Sequence, residues 1–355
     1  MSRKNIIFTG GGSGGHLIPA VTLIKELQKK GDYNLFYVGS KKAIESEVIP
    51  SLGIPYKAIT TGKLRRYFSI ENIKDIFKVF WGTVQSIFYM LSFRSRDTVV
   101  FSCGGFVSVP VVISAKLTGK RVYVHEQTTK VGLANRIASN FCDQVFVSFK
   151  ESMQYFPKTK VIFSGYPLRE ECFTEEVSSK VEIEGIDLKK LEKPILFLTG
   201  GGNGAKIIND LIKENFEELC SKYFIVHQVG KIFIDEYSLL KSENYLPVAF
   251  VKDEMIDLFK LAKVVVSRAG AGTVCELMAL GKKTLLIPLK IAQKNEQYHN
   301  AMAAHKEIGS IVIEEDQLKE VNFVSEIEKI DGKRVESQIK NGREFLLDHL
   351  QKILN

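Results

Sequence analysis

Residues 5–30 read NIIFTGGGSGGHLIPAVTLIKELQKK, and three patterns follow one another within them. The apolar start has the length of a buried β-strand, and the end has the spacing of apolar residues typical of an amphipathic helix. Five glycines lie between the two, where a strand turns into a helix and a phosphate can approach bare backbone N–H groups. The stretch predicts the first strand, glycine loop and helix of a Rossmann-like α/β domain.

The same order of patterns returns in residues 194–213, PILFLTGGGNGAKIINDLIK. After each of the two glycine loops, short Val/Ile/Phe-rich runs alternate with helix-length segments, as in parallel sheets whose strands are joined by helices. We therefore expect two Rossmann-like, doubly wound parallel-sheet domains at 1–166 and 194–337, joined by a linker at 167–193. A C-terminal helix at 338–355 is expected to pack on either domain, and packing back on the N-terminal domain is one of the two possibilities.

Neither glycine loop is followed by the acidic residue that binds the ribose in dinucleotide-binding domains. The two second strands end in Gly39-Ser40-Lys41-Lys42 and in Gly230-Lys231, where no carboxylate occurs. Neither loop ends in the G-K-[ST] triplet of a phosphate-binding P-loop. The pattern thus argues against a dehydrogenase and against a P-loop nucleotidase.

The 355 residues carry a formal net charge of +8, which is distributed unevenly. Residues 1–166 hold 23 Lys and Arg against 10 Asp and Glu, a charge of +13, so the remaining residues carry −5. A basic first half fits an anionic partner, either nucleic acid or an acidic membrane surface, or it is a solvated basic surface. No signal-peptide pattern precedes the first apolar run, so we expect a cytoplasmic protein.

Ligands of open α/β sheets bind beyond the carboxyl ends of the strands, so the loops there contain the candidate site residues. His16 directly follows the first glycine loop and is a candidate general base, although a histidine in a first helical turn can also simply cap and pack. Glu126 is the alternative base, whereas His125 beside it is expected to be buried and hydrogen-bonded.

In the second half, Gly270 and Gly272 precede a helix that is expected to begin near Thr273, with Glu276 exposed in its first turn. A carboxylate there can bind a vicinal diol, or it can only complement the helix dipole. The polar residues that follow the apolar run TLLIPL suit a hydroxyl-rich ligand such as a sugar, or form an ordinary solvated loop; they are Gln293, Asn295, Glu296, Gln297 and Asn300.

The segment Lys63 to Arg96 combines an apolar run with basic and aromatic flanks. Its apolar part, Val79 to Leu91, is too short to span a bilayer. Basic residues with Trp and Phe nearby are typical of a surface that rests on anionic lipid. A core helix of the first domain is the alternative interpretation.

Seven motifs together resemble the MurG family of bacterial glycosyltransferases, in order and over nearly the whole chain. They are TGGGSGGHLIPA (9–20), CGGFVSVP (103–110), HEQTTKVGLANR (125–136), GYPLR (165–169), GGGNGA (200–205), SRAGAGTVCEL (267–277) and NEQYHNA (295–301). The resemblance implies a GT-B fold, in which two Rossmann-like domains face each other across a cleft.

The implied reaction transfers N-acetylglucosamine from UDP-N-acetylglucosamine to the C4 hydroxyl of N-acetylmuramic acid in undecaprenyl-diphosphate-MurNAc-pentapeptide (lipid I). The product would be lipid II, a peptidoglycan precursor, with inversion to a β linkage. The implied partners are this donor, lipid I and the anionic inner membrane, with no nucleic acid, no cofactor and no obligatory metal. The implied place is the cytoplasmic face of the bacterial plasma membrane, with peripheral attachment.

The resemblance also assigns donor and acceptor residues. The implied roles are uracil at Val251, ribose at Glu276, diphosphate at the loops around Gly202 and Ala271–Thr273, and sugar at Glu296 and Gln297. The complete implied set for the donor is Ser13, Gly14, Gly15, Thr128, Arg169, Gly202, Asn203, Val251, Ala271, Gly272, Thr273, Val274, Cys275, Glu276, Glu296 and Gln297. The acceptor diphosphate would lie at Gly12, Gly104 and Gly105.

The chain departs from the family pattern at four positions. Thr128 replaces an asparagine that contacts the donor sugar, and Gly202 replaces a serine of the phosphate loop. Tyr166 and Phe106 replace an asparagine and a tyrosine. Three alternatives therefore stay open: another GT-B enzyme acting on a glycolipid, a nucleotide-sugar-binding protein without turnover, and a nucleotide-sugar epimerase.

Overall fold

The computed structural model describes residues 3–62, 70–291 and 295–354, which divide into two compact units. The first unit comprises Met1–Leu168 together with Lys340–Asn355, and the second comprises Arg169–Ile339. Each unit is built around its own parallel sheet.

The sheet of the first unit has seven parallel strands, in the order β3-β2-β1-β4-β5-β6-β7. The strands are β1 Lys4–Thr9, β2 Tyr33–Ser40, β3 Tyr56–Ile59, β4 Thr98–Ser102, β5 Arg121–Glu126, β6 Gln144–Val147 and β7 Val161–Phe163. The helices are α1 Gly14–Lys30, α2 Glu45–Ser51, α3 Ile70–Leu91, α4 Ser108–Leu117 and α5 Leu133–Ala138. Strand order reverses between β1 and β4, so the loops after these two strands flank the crevice where such sheets bind ligands.

The chain returns to the first unit through a C-terminal helix, Gly342–Leu354. Its apolar face, with Leu346 and Leu350, joins the core between β1, α1 and β2. The helix starts later than the position 338 expected from sequence, because the Asn341 side chain accepts a hydrogen bond from the Arg343 N–H at 3.0 Å. Such a bond satisfies a free N–H of the first turn and fixes where the helix begins.

The second unit has a six-stranded parallel sheet in the order β12-β11-β10-β13-β14-β15. Its strands are β10 Ile195–Thr199, β11 Phe224–Gln228, β12 Tyr245–Val248, β13 Val264–Ser267, β14 Leu285–Leu286 and β15 Ile311–Val312, after a short hairpin of β8 Glu182–Ile183 and β9 Ile186–Asp187. The helices are α6 Lys206–Glu214, α7 Phe216–Lys222, α8 Ile234–Tyr237, α9 Met255–Leu261, α10 Ala271–Ala279, α11 Glu296–Ile308 and α12 Phe323–Glu328. The strand order reverses between β10 and β13. The predicted fold class, α/β with two doubly wound parallel sheets, is confirmed.

The edge strand β12 contains a proline. It lies at Tyr245–Val248, at the start of the apolar run VAFV (248–251), and includes Pro247. Pro has no N–H for a ladder and is tolerated on an edge strand. Because β12 is the edge of its sheet, Pro247 is accommodated, and Val251 is released into the loop beyond it.

Helix α3 packs inward through small residues together with Met90, and it exposes six large apolar side chains on its other face. Gly82 packs so closely that an added Cβ would lie 2.0 Å from the Thr60 carbonyl oxygen, and Ser86 Oγ accepts a hydrogen bond from Ser114 Oγ on α4 at 2.8 Å. The exposed face carries Ile76, Phe77, Phe80, Trp81, Phe88 and Leu91. Within the described residues, no helix is both long and apolar enough to cross a bilayer.

Candidate functional site

The glycine loop of the first unit packs against the loop that follows β4. Gly10, Gly11 and Gly12 all have positive φ, and an added Cβ on Gly105 would lie 2.3 Å from the Gly11 carbonyl oxygen. An added Cβ on Gly104 would lie 2.8 Å from the Asn135 amide. Gly104 and Gly105 thus permit close packing of the two loops, whereas Gly12 faces open space.

A buried carboxylate that the sequence interpretation missed holds this loop. Glu45, with a relative exposure of 0%, accepts hydrogen bonds from Gly12 N–H at 3.0 Å, from Ser40 N–H at 3.3 Å and from Ser40 Oγ at 2.7 Å. It lies just beyond β2, in the region where a dinucleotide-binding domain has its ribose-binding acid. Here the acid is used internally, so the Gly12 N–H is already committed and does not face a ligand.

Burial next to Glu45 also affects two tyrosines. Tyr56 donates a hydrogen bond to the Ser40 carbonyl oxygen at 2.5 Å, and Tyr37 donates to the Gly10 carbonyl oxygen at 2.9 Å. Desolvation, with the Glu45 charge as a smaller cause, raises the pKa of both phenols well above the usual value. The two hydroxyl groups therefore stay protonated and serve as fixed donors to the end of β2 and to the glycine loop.

The N-terminus of α1 is open. Ser13 is the N-cap residue but makes no side-chain cap, and no acidic residue lies in the first turn. Backbone N–H groups at such an end attract an anion. Ser13 and Gly15 are exposed and Gly14 is half-buried, so the structure leaves these three predicted ligand residues accessible.

His16 is held by its Nδ1 atom. This nitrogen lies 3.1 Å from the Cys103 carbonyl oxygen and 3.4 Å from Gln127 Oε1, and the ring is half-buried. Among the described residues, no group is hydrogen-bonded to Nε2. The arrangement leaves one ring nitrogen of His16 available to a ligand.

Glu126, the alternative base, is 2% exposed and fully engaged. Its Oε1 accepts from the Thr128 N–H at 2.9 Å and from Thr128 Oγ1 at 2.8 Å, while Oε2 accepts from Asn135 Nδ2 at 3.0 Å. These contacts direct the Thr128 hydroxyl group into the loop after β5. Glu126 and Thr128 thus stabilise this loop, and both oxygens of the Glu126 carboxylate are occupied.

His125 is buried, as expected, and its pKa is lowered to about 4, chiefly by desolvation. Its Nε2 lies 3.1 Å from Ser148 Oγ and 3.4 Å from the Gly165 carbonyl oxygen. The side chain of Gln127 lies between His125 and His16, with Nε2 at 3.3 Å from His125 Nδ1 and 2.6 Å from the Cys103 carbonyl oxygen. Gln127 was not singled out from sequence.

In the second unit, the glycine loop after β10 presents Gly202 and Asn203 at its exposed tip. Gly204 is required for packing, since an added Cβ would lie 1.9 Å from the Val229 carbonyl oxygen. The buried Gln228 fixes the loop by donating from Nε2 to Thr199 Oγ1 and to the Gly201 carbonyl oxygen, both at 2.9 Å.

The same Gln228 reaches the loop beyond β12. The Val251 N–H, implied to contact uracil, donates to Gln228 Oε1 at 2.8 Å, and Val251 is buried. The backbone N–H of Val251 is therefore occupied. Gln228 connects the loop expected to bind the diphosphate with the loop expected to bind uracil.

The helix that carries Glu276 begins earlier than expected. Since α10 starts at Ala271, Glu276 lies in its second turn and is only 6% exposed, rather than exposed in the first turn. Its Oε1 accepts from Arg169 Nη2 at 2.7 Å and from Arg169 Nε at 3.2 Å. This contact brings two predicted donor residues together and, with burial acting in the opposite direction, raises the pKa of the Arg169 guanidinium.

The remaining predicted donor residues lie at the starts of α10 and α11. Gly272 and Val274 are buried within the first turns of α10, and Gly270 is an N-cap without a side-chain cap. Gln297 Oε1 accepts from the Leu289 N–H at 3.0 Å, and Asn300 donates to the Ala269 carbonyl oxygen at 3.2 Å. Ala271 and Cys275 are also buried in α10, Thr273 is half-buried there, and Glu296 is half-buried at the start of α11. Gln293 and the basic residues Lys63, Arg65 and Arg66 lie outside the described residues.

Comparisons with known proteins define the class. Models of the N-terminal and C-terminal domains of glycosyltransferase family 28 match residues 6–147 and 195–353, so the chain belongs to this family of glycosyltransferases. It is 39% identical over 358 residues to the UDP-N-acetylglucosamine--N-acetylmuramyl-(pentapeptide) pyrophosphoryl-undecaprenol N-acetylglucosamine transferase of Clostridium tetani, covering 99% of this chain and 98% of that protein. A Clostridium novyi protein of the same name is 40% identical over 96% of this chain and 94% of its own length. Within family 28, the chain is a member of the MurG family.

Solved structures agree on the fold. MurG of Acinetobacter baumannii matches with a TM-score of 0.68 at 22% identity, over 98% of this chain and 99% of that one. A putative UDP-N-acetylglucosamine 2-epimerase of Listeria monocytogenes matches with a TM-score of 0.66 at 10% identity, over 99% and 96%. The fold alone therefore does not separate a transferase from an epimerase.

Proposed function

We propose that the chain transfers N-acetylglucosamine from UDP-N-acetylglucosamine to the C4 hydroxyl of the muramyl sugar in lipid I, forming lipid II with inversion. The observation that carries this proposal is the near full-length identity of 39% to enzymes named for that reaction. The open end of α1, the free Nε2 of His16 and the Arg169–Glu276 pair are consistent with it.

An inverting transfer needs a base for the acceptor hydroxyl and stabilisation of the departing UDP. His16 Nε2 takes the hydroxyl proton as the oxygen attacks the anomeric carbon and the bond from that carbon to the UDP oxygen breaks. Backbone N–H groups at the start of α10 and at the tip formed by Gly202 and Asn203 receive the diphosphate charge. These groups supply the stabilisation without a metal. Across the described parts of the chain, no three His, Cys, Asp or Glu side chains cluster as metal ligands.

On the acceptor side, the lipid diphosphate lies against the exposed N–H groups at the start of α1. Ser13, Gly14 and Gly15 supply these groups in place of Gly12, Gly104 and Gly105, because Gly12 is bound to Glu45 and the other two serve packing. Of the four departures from the family pattern, Thr128 matters most, since its hydroxyl is turned towards Glu126 and not available to a sugar.

On the donor side, Glu276 binds the ribose through Oε2, the oxygen that is not used by Arg169. Arg169 neutralises the carboxylate and fixes its direction. Since the Val251 N–H is bound to Gln228, uracil is read by the Val251 carbonyl group, which can accept from the base N3–H. Glu296 and Gln297 contact the sugar.

The test is incubation of the protein with labelled UDP-N-acetylglucosamine and a short-chain lipid I analogue. A disaccharide lipid is expected; product with another glycolipid only, epimerised free sugar, or donor binding without any product would each contradict the proposal. His16→Gln is expected to lower kcat by about 10²–10⁴, the usual contribution of a general base. His305→Gln, at an exposed position, is the matched control.

Glu276→Gln separates binding from chemistry. We expect a higher KM for the donor with a smaller change in kcat, because the ribose contact is made in the ground state and in the transition state alike. An unchanged donor KM would contradict the ribose role.

We further propose that the exposed face of α3 rests on the anionic inner leaflet, at the cytoplasmic face of the plasma membrane. Phe88 and Phe77 on this face are 71% and 68% exposed, and Lys74, Arg94 and Arg96 nearby are also exposed. Aromatic and basic side chains together favour the interface of an acidic bilayer.

Sedimentation with vesicles tests this surface. Phe88→Ser is expected to weaken binding to vesicles containing phosphatidylglycerol, while Leu239→Ser, an equally exposed position of the second unit, leaves it unchanged. Equal loss in both variants would contradict the proposal, as would equal binding of the parent protein to neutral vesicles.

A further inference from the structure

The Cys103 carbonyl oxygen determines how the side-chain amide of Gln127 is oriented. This oxygen lies 2.6 Å from Gln127 Nε2, a distance that two carbonyl oxygens would not tolerate. The amide nitrogen must therefore face Cys103, and Oε1 must face His16 Nδ1 at 3.4 Å. The orientation follows from the neighbouring backbone, since the amide itself is symmetric in shape.

This orientation assigns the protons of two histidines. His16 Nδ1 faces two acceptors, the Cys103 carbonyl oxygen and Gln127 Oε1, so it carries the proton and Nε2 keeps its lone pair. His125 Nδ1 instead faces the donor Gln127 Nε2, so it is the unprotonated nitrogen, and His125 Nε2–H donates to the Gly165 carbonyl oxygen. The two rings are held in opposite tautomers by one glutamine.

We propose that Gln127 is a positioning residue for the transfer reaction, which fixes His16 in the tautomer whose Nε2 accepts the proton of the acceptor hydroxyl. On the other side of the same amide, His125 Nδ1 accepts a hydrogen bond from Gln127 Nε2. This inference rests on the proposed function, in which His16 is the base.

When Nε2 takes the proton, His16 becomes an imidazolium with two N–H groups. The Nδ1–H still donates to the Cys103 carbonyl oxygen and to Gln127 Oε1, and both dipoles stabilise the new charge. Gln127 cannot take up a proton, so none passes to His125, and the proton leaves from Nε2 to water after the sugar is transferred.

The titratable groups near the His16 ring do not take over the role of Gln127 as the side-chain acceptor for Nδ1–H. The thiol of Cys103 is buried, and burial raises its pKa well above the usual value. His125 stays neutral because desolvation lowers its pKa to about 4. The Glu126 carboxylate is directed towards Thr128 and Asn135. Among the described groups that are hydrogen-bonded to the His16 ring, only Gln127 contributes a side-chain acceptor.

The first experiment measures the tautomer by nitrogen NMR of the full-length protein with labelled histidine, using His16→Gln to assign the signal. We expect a protonated Nδ1 and an unprotonated Nε2 for His16, and the reverse for His125. The opposite tautomer of His16 would overturn the proposal. This readout needs no turnover, so it stands even if no lipid II forms and the proposed function fails.

The second experiment is kinetic. Gln127→Leu is expected to lower kcat about tenfold, the loss of one hydrogen bond in the transition state, with both KM values nearly unchanged. Gln127→Leu also removes the Oε1 acceptor that stabilises the His16 imidazolium, so the acidic limb of the kcat/KM profile should move to lower pH.

A matched control separates positioning from folding. Val124→Ala, on β5 just before Gln127 and also buried, removes core packing without touching the His16 ring. It should lower the melting temperature and leave both kcat and the pH profile unchanged. An unchanged kcat or an unmoved acidic limb in Gln127→Leu would overturn the positioning role.

Discussion

Glu45→Gln is the sharpest test of how the first glycine loop is held. The carboxylate accepts three hydrogen bonds, one from Gly12 and two from Ser40, and it has no exposure to water. The amide keeps the shape but replaces one acceptor oxygen by an NH₂ group. If Ser40 keeps the remaining oxygen, this NH₂ group faces the Gly12 N–H, and two donors oppose each other.

The expected loss follows from this count. One hydrogen bond to a charged group disappears, at about 1.5–3 kcal/mol, so we expect the first unit to lose about 2–3 kcal/mol of unfolding free energy. For a unit of this size each kcal/mol corresponds to about 2–4 °C, so its melting temperature should fall by about 4–12 °C.

The assay is thermal unfolding followed by circular dichroism, together with the KM for the lipid I analogue. Glu47→Gln, on the exposed side of the same helix, is the control and should melt like the parent protein. A higher acceptor KM is expected in Glu45→Gln, because the loop leading into α1 loses its anchor. If this variant melts with the parent protein and keeps its acceptor KM, the anchoring role of Glu45 is refuted.

Three further outcomes are expected. Burial lowers the pKa of His125 to about 4 and that of His227 to about 3. In the unfolded chain both side chains take up a proton near pH 6.5, so the stabilising contribution is complete above that pH. Below it, the free energy of unfolding declines by up to about 1.4 kcal/mol per pH unit for each histidine. Urea unfolding at decreasing pH measures this, and a flat midpoint would contradict it. Gln228→Leu should raise the KM for UDP-N-acetylglucosamine without altering acceptor KM, because only the donor-side loops lose their link; equal changes in both constants would argue against this. Gly82→Ala should lower the unfolding free energy by about 1–3 kcal/mol, since its Cβ meets the Thr60 carbonyl oxygen, while Ile76→Ala, on the exposed face of the same helix, should melt almost unchanged.

The individual contacts show where the sequence interpretation stopped. As the sequence indicated, no ribose-binding acid occurs at Ser40–Lys42, directly after β2. Glu45, however, lies a few residues further along the chain and folds back onto the glycine loop. The position of Glu276 within its helix was misjudged by two residues, which changed an exposed carboxylate into a buried one paired with Arg169. In both cases a small displacement along the chain reverses the direction of a side chain.

The sequence by itself determined the α/β class and the two parallel sheets, and it predicted the loops at which we propose that ligands bind. Apolar runs of strand length, helical spacing between them and glycines at the turns are local patterns, and local sterics and burial are enough to interpret them. The seven motifs indicated the family for the same reason, since each is a short contiguous stretch of sequence.

Only the tertiary structure decided what each polar side chain of the site is bound to. Gln127, Gln228 and Glu45 form hydrogen bonds with groups that are distant in sequence, and a pattern along the chain does not contain these pairings. The same holds for α3, whose apolar face is turned outward because Gly82 and Ser86 permit a close approach on the opposite side. Periodicity locates such a face on the helix, but which face packs inward depends on the surface it meets.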